Sequence, residues 1–257
     1  ICKEFLLNSA EQQLPLTKLG VIPIFEKLRR SEAISRNLAV LTGSVVIVPI
    51  RVAETLKLKL AAEGNSTVLQ YTALAYDPSF VRIHQHENFK HQLLHLVTEQ
   101  FEEGAISILV GTKSLLGEGW DAPSINSLIM ASNVGSFVLS NQVRGRAIRA
   151  ALGQPKKTSS IWHLVAIDAL SATGGEDLGI MKRRFTSFVG LSEHVDAALE
   201  NGFSRLQLEV DAWGESGIAQ QNINTFERAQ QRHSLKQRWG LGIAKGTSLV
   251  EEIKIPV

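Results

Sequence analysis

The sequence has a single cysteine, Cys2, in 257 residues, which excludes an internal disulfide framework and fits a reducing compartment. It has no long apolar run: segments such as Val45 to Val48, closed off by Pro49, are far too short to span a bilayer. No charged-then-apolar segment of the secretory kind opens the chain. Neither sign of charge dominates, with 27 Lys and Arg against 25 Asp and Glu. The net charge is +2, so bulk electrostatics do not demand nucleic acid, and any basic surface must be local. Internal repeats are also missing. A cytoplasmic protein without membrane contact is the expectation. The chain begins with isoleucine rather than methionine and is expected to be a piece of a longer polypeptide.

What is present is an alternation of strand-like and helix-like segments, long enough for one main domain and an appendage at ~150 residues per domain. Val21 to Arg30 has helical spacing with Pro23 near its start, where proline is tolerated. Leu38 to Ile50 reads as buried strand interrupted at Thr42-Gly43, and 67–83 as a hairpin around Asp77-Pro78. Asn88 to Glu102 reads as a helix ended by Gly104. Three continuous apolar runs follow, at 105–111, 125–132 and 161–168. Continuous rather than alternating apolarity predicts strands buried on both faces, hence an α/β fold with an open, mostly parallel sheet and helices on both faces. Residues 1–173 are expected to form this domain. Residues 174–257 read as a helical extension, with Ser192 a candidate N-cap.

The stretch "QVRGRAIRA" (142–150) poses a physical question, because a glycine inside a helix costs roughly 1 kcal/mol relative to alanine. Gln142, Gly145, Arg146 and Arg149 stand at i, i+3, i+4 and i+7, so one helix face would present an amide, bare backbone and two guanidinium forks. Arg144 points elsewhere. Leu139, Val143, Ala147 and Ala151 form an apolar row for packing on a sheet. Two fixed forks with a small residue between them suit a phosphate chain approaching the backbone. A solvated basic helix is the alternative reading of this stretch alone.

A second polar stretch, "LVGTKSLLGEGWDAP" (109–123), follows a buried strand. Its residues are therefore expected at the carboxyl end of a parallel sheet, where ligands bind in such folds. Gly111, Gly117 and Gly119 permit close backbone approach, and Thr112, Glu118 and Asp121 supply polar groups. The pair "GTKSLLGEGWDAP" and "QVRGRAIR", in this order, resembles motifs V and VI of superfamily 2 helicases, the second matching Gln-x-x-Gly-Arg-x-x-Arg in full. The resemblance covers roughly residues 20–170 and identifies them with the second RecA-like domain of such a motor. The "GEGWDAP" flavour leans toward restriction-type and repair-type translocases.

The resemblance implies ATP with magnesium as cofactor and nucleic acid, DNA over RNA, as partner. Arg146 and Arg149 would reach the γ-phosphate as arginine fingers, Gln142 would orient phosphates or water, and Gly145 would be the bare patch between them. Gly119 and Asp121 would contact ATP, and Thr112 a nucleic-acid phosphate. The partner holding the nucleotide would be a first RecA-like domain of the same polypeptide. No Gly-Lys dipeptide occurs in the sequence, so no Walker A loop is present, and this chain alone is expected not to hydrolyse ATP. "ICKEFLLNSA" resembles the stretch after the family's first strand, which is expected to be missing. A non-motor nucleic-acid-binding RecA-like module is the competing function.

His84, His86, His91 and His95 include a pair one helical turn apart, but no cysteine or His-Glu-x-x-His arrangement accompanies them, so polar surface histidines are expected and no metal. Of the basic clusters at 27–30, 155–157 and 181–184, Lys182, Arg183 and Arg184 are favoured for a nucleic-acid track. Trp120 could stack on a base or brace the loop around Asp121, and bracing is preferred.

Overall fold

The structure, a computed structural model, describes residues 15–34, 36–62, 69–85, 89–117, 120–131, 137–151, 153–193, 199–208 and 214–248. The chain forms two compact units, Ile1–Ile125 with Arg149–Gly153, and Asn126–Ile148 with Gln154–Val257. The sequence-based boundary at residue 173 falls inside the second of these.

The first unit is a five-stranded sheet built from β1 (Leu38–Leu41), β2 (Val46–Pro49), β3 (Tyr71–Leu74), β4 (Asp77–Ile83) and β5 (Ile108–Gly111), in the order β3-β4-β2-β1-β5. Helices cover both faces, and strand alternation sorts the side chains between them. Leu38, Val40, Ile47 and Phe80 pack with Ile22 and Phe25 of α1 (Val21–Arg29). Ala39, Leu41, Val46, Val48 and Val81 pack instead with α2 (Ile50–Ala62) and α3 (Lys90–Glu102). Burial on both faces explains why these strands are apolar throughout.

The α/β class and the two-faced cover follow the sequence, but the pairing directions differ from it. β1 and β5 run parallel, whereas β1–β2, β2–β4 and β3–β4 are antiparallel. Continuous apolarity reports burial of both faces and carries no information on direction. Direction is set here by two tight connections. Thr42 builds the first: its hydroxyl donates to the Val45 carbonyl at 3.0 Å and accepts from the Val45 amide at 2.9 Å, which reverses the chain between β1 and β2. The second hairpin turns at Ala75-Tyr76, two residues before Asp77-Pro78. Pro49 ends β2, and α2 begins at Ile50, where strand was expected. Its buried positions Val52, Ala53, Leu56 and Leu60 carry helical spacing. Gly104 ends α3 as expected, with φ +82° and its amide on the Phe101 carbonyl at 3.2 Å.

The second and third apolar runs do not extend that sheet. β6 (Ser127–Met130) and β7 (Ser160–His163) pair with each other in parallel as a separate two-stranded sheet in the second unit. Between them in sequence lies α5 (Phe137–Ala147), after the short α4 (Lys113–Gly117) of the first unit. The rest of the second unit contains α6 (Glu176–Thr186), α7 (Glu215–Gln230) and α8 (Arg232–Lys245). It also contains three two-residue strands, β8 (Gly190–Leu191), β9 (Leu199–Glu200) and β10 (Thr247–Ser248), in the order β10-β9-β8. The region read as all-helical thus includes a small sheet. Ser192 directly follows β8, and much of the helix it was expected to cap, 194–198, lies outside the described residues, while 204–206 is a single 3₁₀ turn. Strands of two residues are too short to leave a periodic pattern in sequence. Leu178, Met181, Phe185, Phe188 and Phe203 form the core here.

Candidate functional site

In the first unit the chain leaves β5 at Gly111, passes Thr112, and makes the single short helix α4. Gly119 and Glu118 lie outside the described residues. The loop then returns through Trp120, Asp121 and Ala122, where burial alternates: Trp120 and Ala122 are buried and Asp121 is exposed. Trp120 is fixed by its indole N–H, which donates to Thr98 Oγ1 at 2.7 Å, and by its ring against Phe101 at 6.2 Å. It braces the loop, and with Ala122 it forces the carboxylate between them outward.

Arg149 meets that carboxylate, its Nη1 donating to Asp121 Oδ1. Both side chains are about half exposed, at 49% and 54%, and an ion pair so exposed stabilises a fold by at most about 1 kcal/mol. The pair is better understood as holding two ligand-capable groups together than as a structural lock. The helix bearing the rest of the stripe ends at Ala147, so Arg149 stands past its end instead of on its face. The Ala147 carbonyl accepts from Lys157 Nζ at 3.1 Å and from Ser159 Oγ, a capping arrangement that terminates α5 two residues short of Arg149.

In the second unit, α5 presents Gln142 exposed and Arg146 half-buried, with Gly145 between them in helical conformation. A Cβ built on Gly145 meets no neighbouring atom within 4 Å. No contact in the structure therefore requires glycine there, and open space lies above the backbone at that point. Ala147 is fully buried, as the apolar row predicts. Arg144, outside the stripe, turns to Phe188, its guanidinium carbon 3.8 Å from the ring centroid.

The three basic clusters have different fates. Arg29 and Arg30 pair with the fully buried Glu26 at 2.9 and 3.2 Å, and Lys157 caps α5, so the first two serve the fold. In the third, Lys182 and Arg183 line a groove of about 1320 Å³, together with Phe203, Gln220, Gln221 and Arg228. Arg184 turns instead to His163, Nη1 to Nδ1 at 3.3 Å. Of the histidines, His84 hydrogen-bonds the Thr72 hydroxyl at 2.7 Å, His91 and His95 are exposed, and His86 lies outside the described residues. Among the described residues no group of three or more His, Cys, Asp or Glu side chains could hold a metal ion. None of the described helices is long and apolar enough to cross a membrane. No protein-family model, curated protein or solved structure matches this chain.

Proposed function

We propose that the chain is the second motor half of an ATP-dependent superfamily 2 helicase or translocase, acting with a first RecA-like domain that carries the Walker loop. The observation that carries this reading is the ion pair of Arg149 with Asp121, because it joins the last arginine of the motif VI pattern to the acid of the motif V pattern across 28 residues of sequence. Open space above Gly145 supports it as well, since a phosphate chain needs close access to that backbone. ATP, when bound with magnesium, supplies the transferable phosphoryl group. In the first unit Arg149 offers a planar cationic fork and Asp121 an acceptor for ribose hydroxyls; in the second, Arg146 offers a fork and Gln142 an amide. Thr112, next to β5, and the groove at Lys182 and Arg183 are the proposed contacts to nucleic acid, with DNA favoured.

The alternative is a nucleic-acid-binding RecA-like module without ATPase coupling. Three of the four pairings in the large sheet are antiparallel, unlike the mostly parallel sheet that both readings imply. Arg149→Lys in the protein containing both halves separates the two. Lysine keeps the charge and loses the fork, so a finger role predicts a drop in kcat of about 10³-fold with nucleic-acid affinity unchanged. Near-normal turnover, or a loss confined to binding with a shallower salt dependence, would overturn the motor reading.

A further inference from the structure

The groove of the second unit is walled by two helices of different chemistry. On one side α6 brings Lys182 and Arg183, with the Lys182 ammonium 5.7 Å over the ring of Phe203. On the other side α7 lines it with Gly217, Gln220, Gln221 and Asn224. These stand at i, i+3, i+4 and i+7 and so share one helix face, the stripe that on most surface helices is apolar and packs on a core. Here the apolar residues Ile223 and Phe226 stand off that stripe, about half exposed, and the stripe itself is carboxamide. Amides gain nothing from burial without partners. A ligand that both donates and accepts hydrogen bonds is what such a wall fits.

Two of these amides already act as one unit. Gln220 Nε2 donates to Asn224 Oδ1 at 2.9 Å across one helical turn, which leaves the Gln220 oxygen as an acceptor and the Asn224 amide group as a donor towards a ligand. Turning both amides over exchanges these roles and still leaves one acceptor and one donor. Arg228 holds the wall in place. Its Nη1 donates to the Leu206 carbonyl at 2.6 Å and its Nε to the Asn224 carbonyl at 3.2 Å, tying α7 to the turn at 204–206. A neighbouring donor and acceptor is also the pattern on the Watson–Crick edge of an unpaired base, an edge that the partner base occupies in a duplex.

Cations on one wall and amides on the other require a ligand with one anionic edge and one neutral, hydrogen-bonding edge. A nucleic-acid strand has both, phosphates along one side and bases along the other. An acidic peptide has no such division. The carboxylates of Glu193 and Glu227, also on the groove, would repel it, whereas they can accept from base N–H groups.

We propose that this groove binds unpaired nucleotides, with the Gln220–Asn224 pair taking base edges and Lys182 and Arg183 the phosphates. Such a groove deepens the nucleic-acid contact proposed above, on which it rests, by telling a single strand from a duplex, and it needs no ATP hydrolysis.

The test is binding of a labelled oligodeoxyadenylate to the whole chain by fluorescence anisotropy, beside the same strand paired with oligothymidylate and an abasic strand of equal length. The single strand is expected to bind about tenfold tighter than either. Gln220→Ala and Asn224→Ala should each remove most of that preference, and alanine is the better helix former, so folding is kept. Asn222→Ala, which replaces an exposed amide of the same helix outside the groove, should change nothing. Lys182→Gln should weaken binding of the abasic strand as well and reduce the salt slope by ~0.7. Equal binding of base-bearing and abasic strands, full preference in both amide variants, or an equal loss in Asn222→Ala would overturn the base contact and leave the phosphate contact standing. Displacement of the strand by oligoglutamate as effective as by unlabelled strand would assign the groove to an acidic peptide instead. No binding of any strand would remove both this site and the nucleic-acid contact beneath it, while the motor reading would still be judged by the turnover of Arg149→Lys.

Discussion

Both units partly bury arginines, and they do so in opposite ways. In the first, Arg29 and Arg30 surround Glu26, whose carboxylate also accepts from Tyr76 O–H at 2.8 Å. Arg29 further reaches Asp77 at 3.1 Å and lies 4.7 Å over the Tyr76 ring. Burial works against the Arg29 charge, yet its pKa ends up raised because Glu26 and Asp77 bond to it. The network is closed, and it ties α1 to the β3–β4 hairpin. In the second unit, Arg144 and Arg205 lie over rings and repel each other, and burial leaves their pKa values lowered. Arginines that satisfy an acid belong to the fold.

The largest effect expected from this comparison is on stability. Glu26→Gln removes the fully buried carboxylate that Arg29 and Arg30 share, leaving Asp77 on Arg29, and should cost about 3 kcal/mol. Arg144→Gln loses a ring contact but relieves like-charge repulsion, so denaturant unfolding should place it within about 1 kcal/mol of wild type. Equal losses in the two variants would remove the distinction between a closed and an open network.

Titration sharpens the same contrast with a slightly smaller effect. His163 has a folded pKa of about 4 against an ordinary 6.5. A lowered histidine contributes stability that is fully present above pH 6.5 and is lost as pH falls from 6.5 towards 4, because only the unfolded chain takes up the proton in that window. The shift corresponds to about 3 kcal/mol. His163→Gln should therefore flatten stability between pH 6.5 and 4 when unfolding is followed in phosphate-free buffer. A variant with the wild-type slope would show that other groups drive the acid response.

Legibility in the sequence followed the range of the interactions. α1, α3 and its glycine end, the β1–β2 interruption at Thr42, and the hairpin before Ile83 were all readable, since each is set by neighbours in the chain. Strand direction was not, because Leu38 to Leu41 would be equally apolar beside a parallel or an antiparallel partner. Asp121 and Arg149 could be named from motif order, but the end of α5 at Ala147 could not, as it depends on Lys157 and Ser159 reaching back. The contacts of Arg144 and Arg205 with Phe188 and Phe185, and of Arg184 with His163, left no signal. These residues sit on separate elements, and only the fold brings them together.

The smallest expected effect asks whether α5 in the second unit is shaped for stability or for access. Gly145 holds helical backbone, where alanine is more stable by roughly 1 kcal/mol, and the added Cβ would enter open space. Gly145→Ala should therefore raise the unfolding free energy by up to about 1 kcal/mol. A solvated helix face would gain that stability with no other consequence. A face approached by a phosphate chain would gain it and lose function, because the methyl group occupies the space through which the ligand reaches the backbone between Gln142 and Arg146. In the protein containing both motor halves, the proposed function requires the stabilised variant to turn over ATP more slowly. A variant both more stable and fully active would assign Gly145 to a solvated surface and take away the access argument for the motif VI reading.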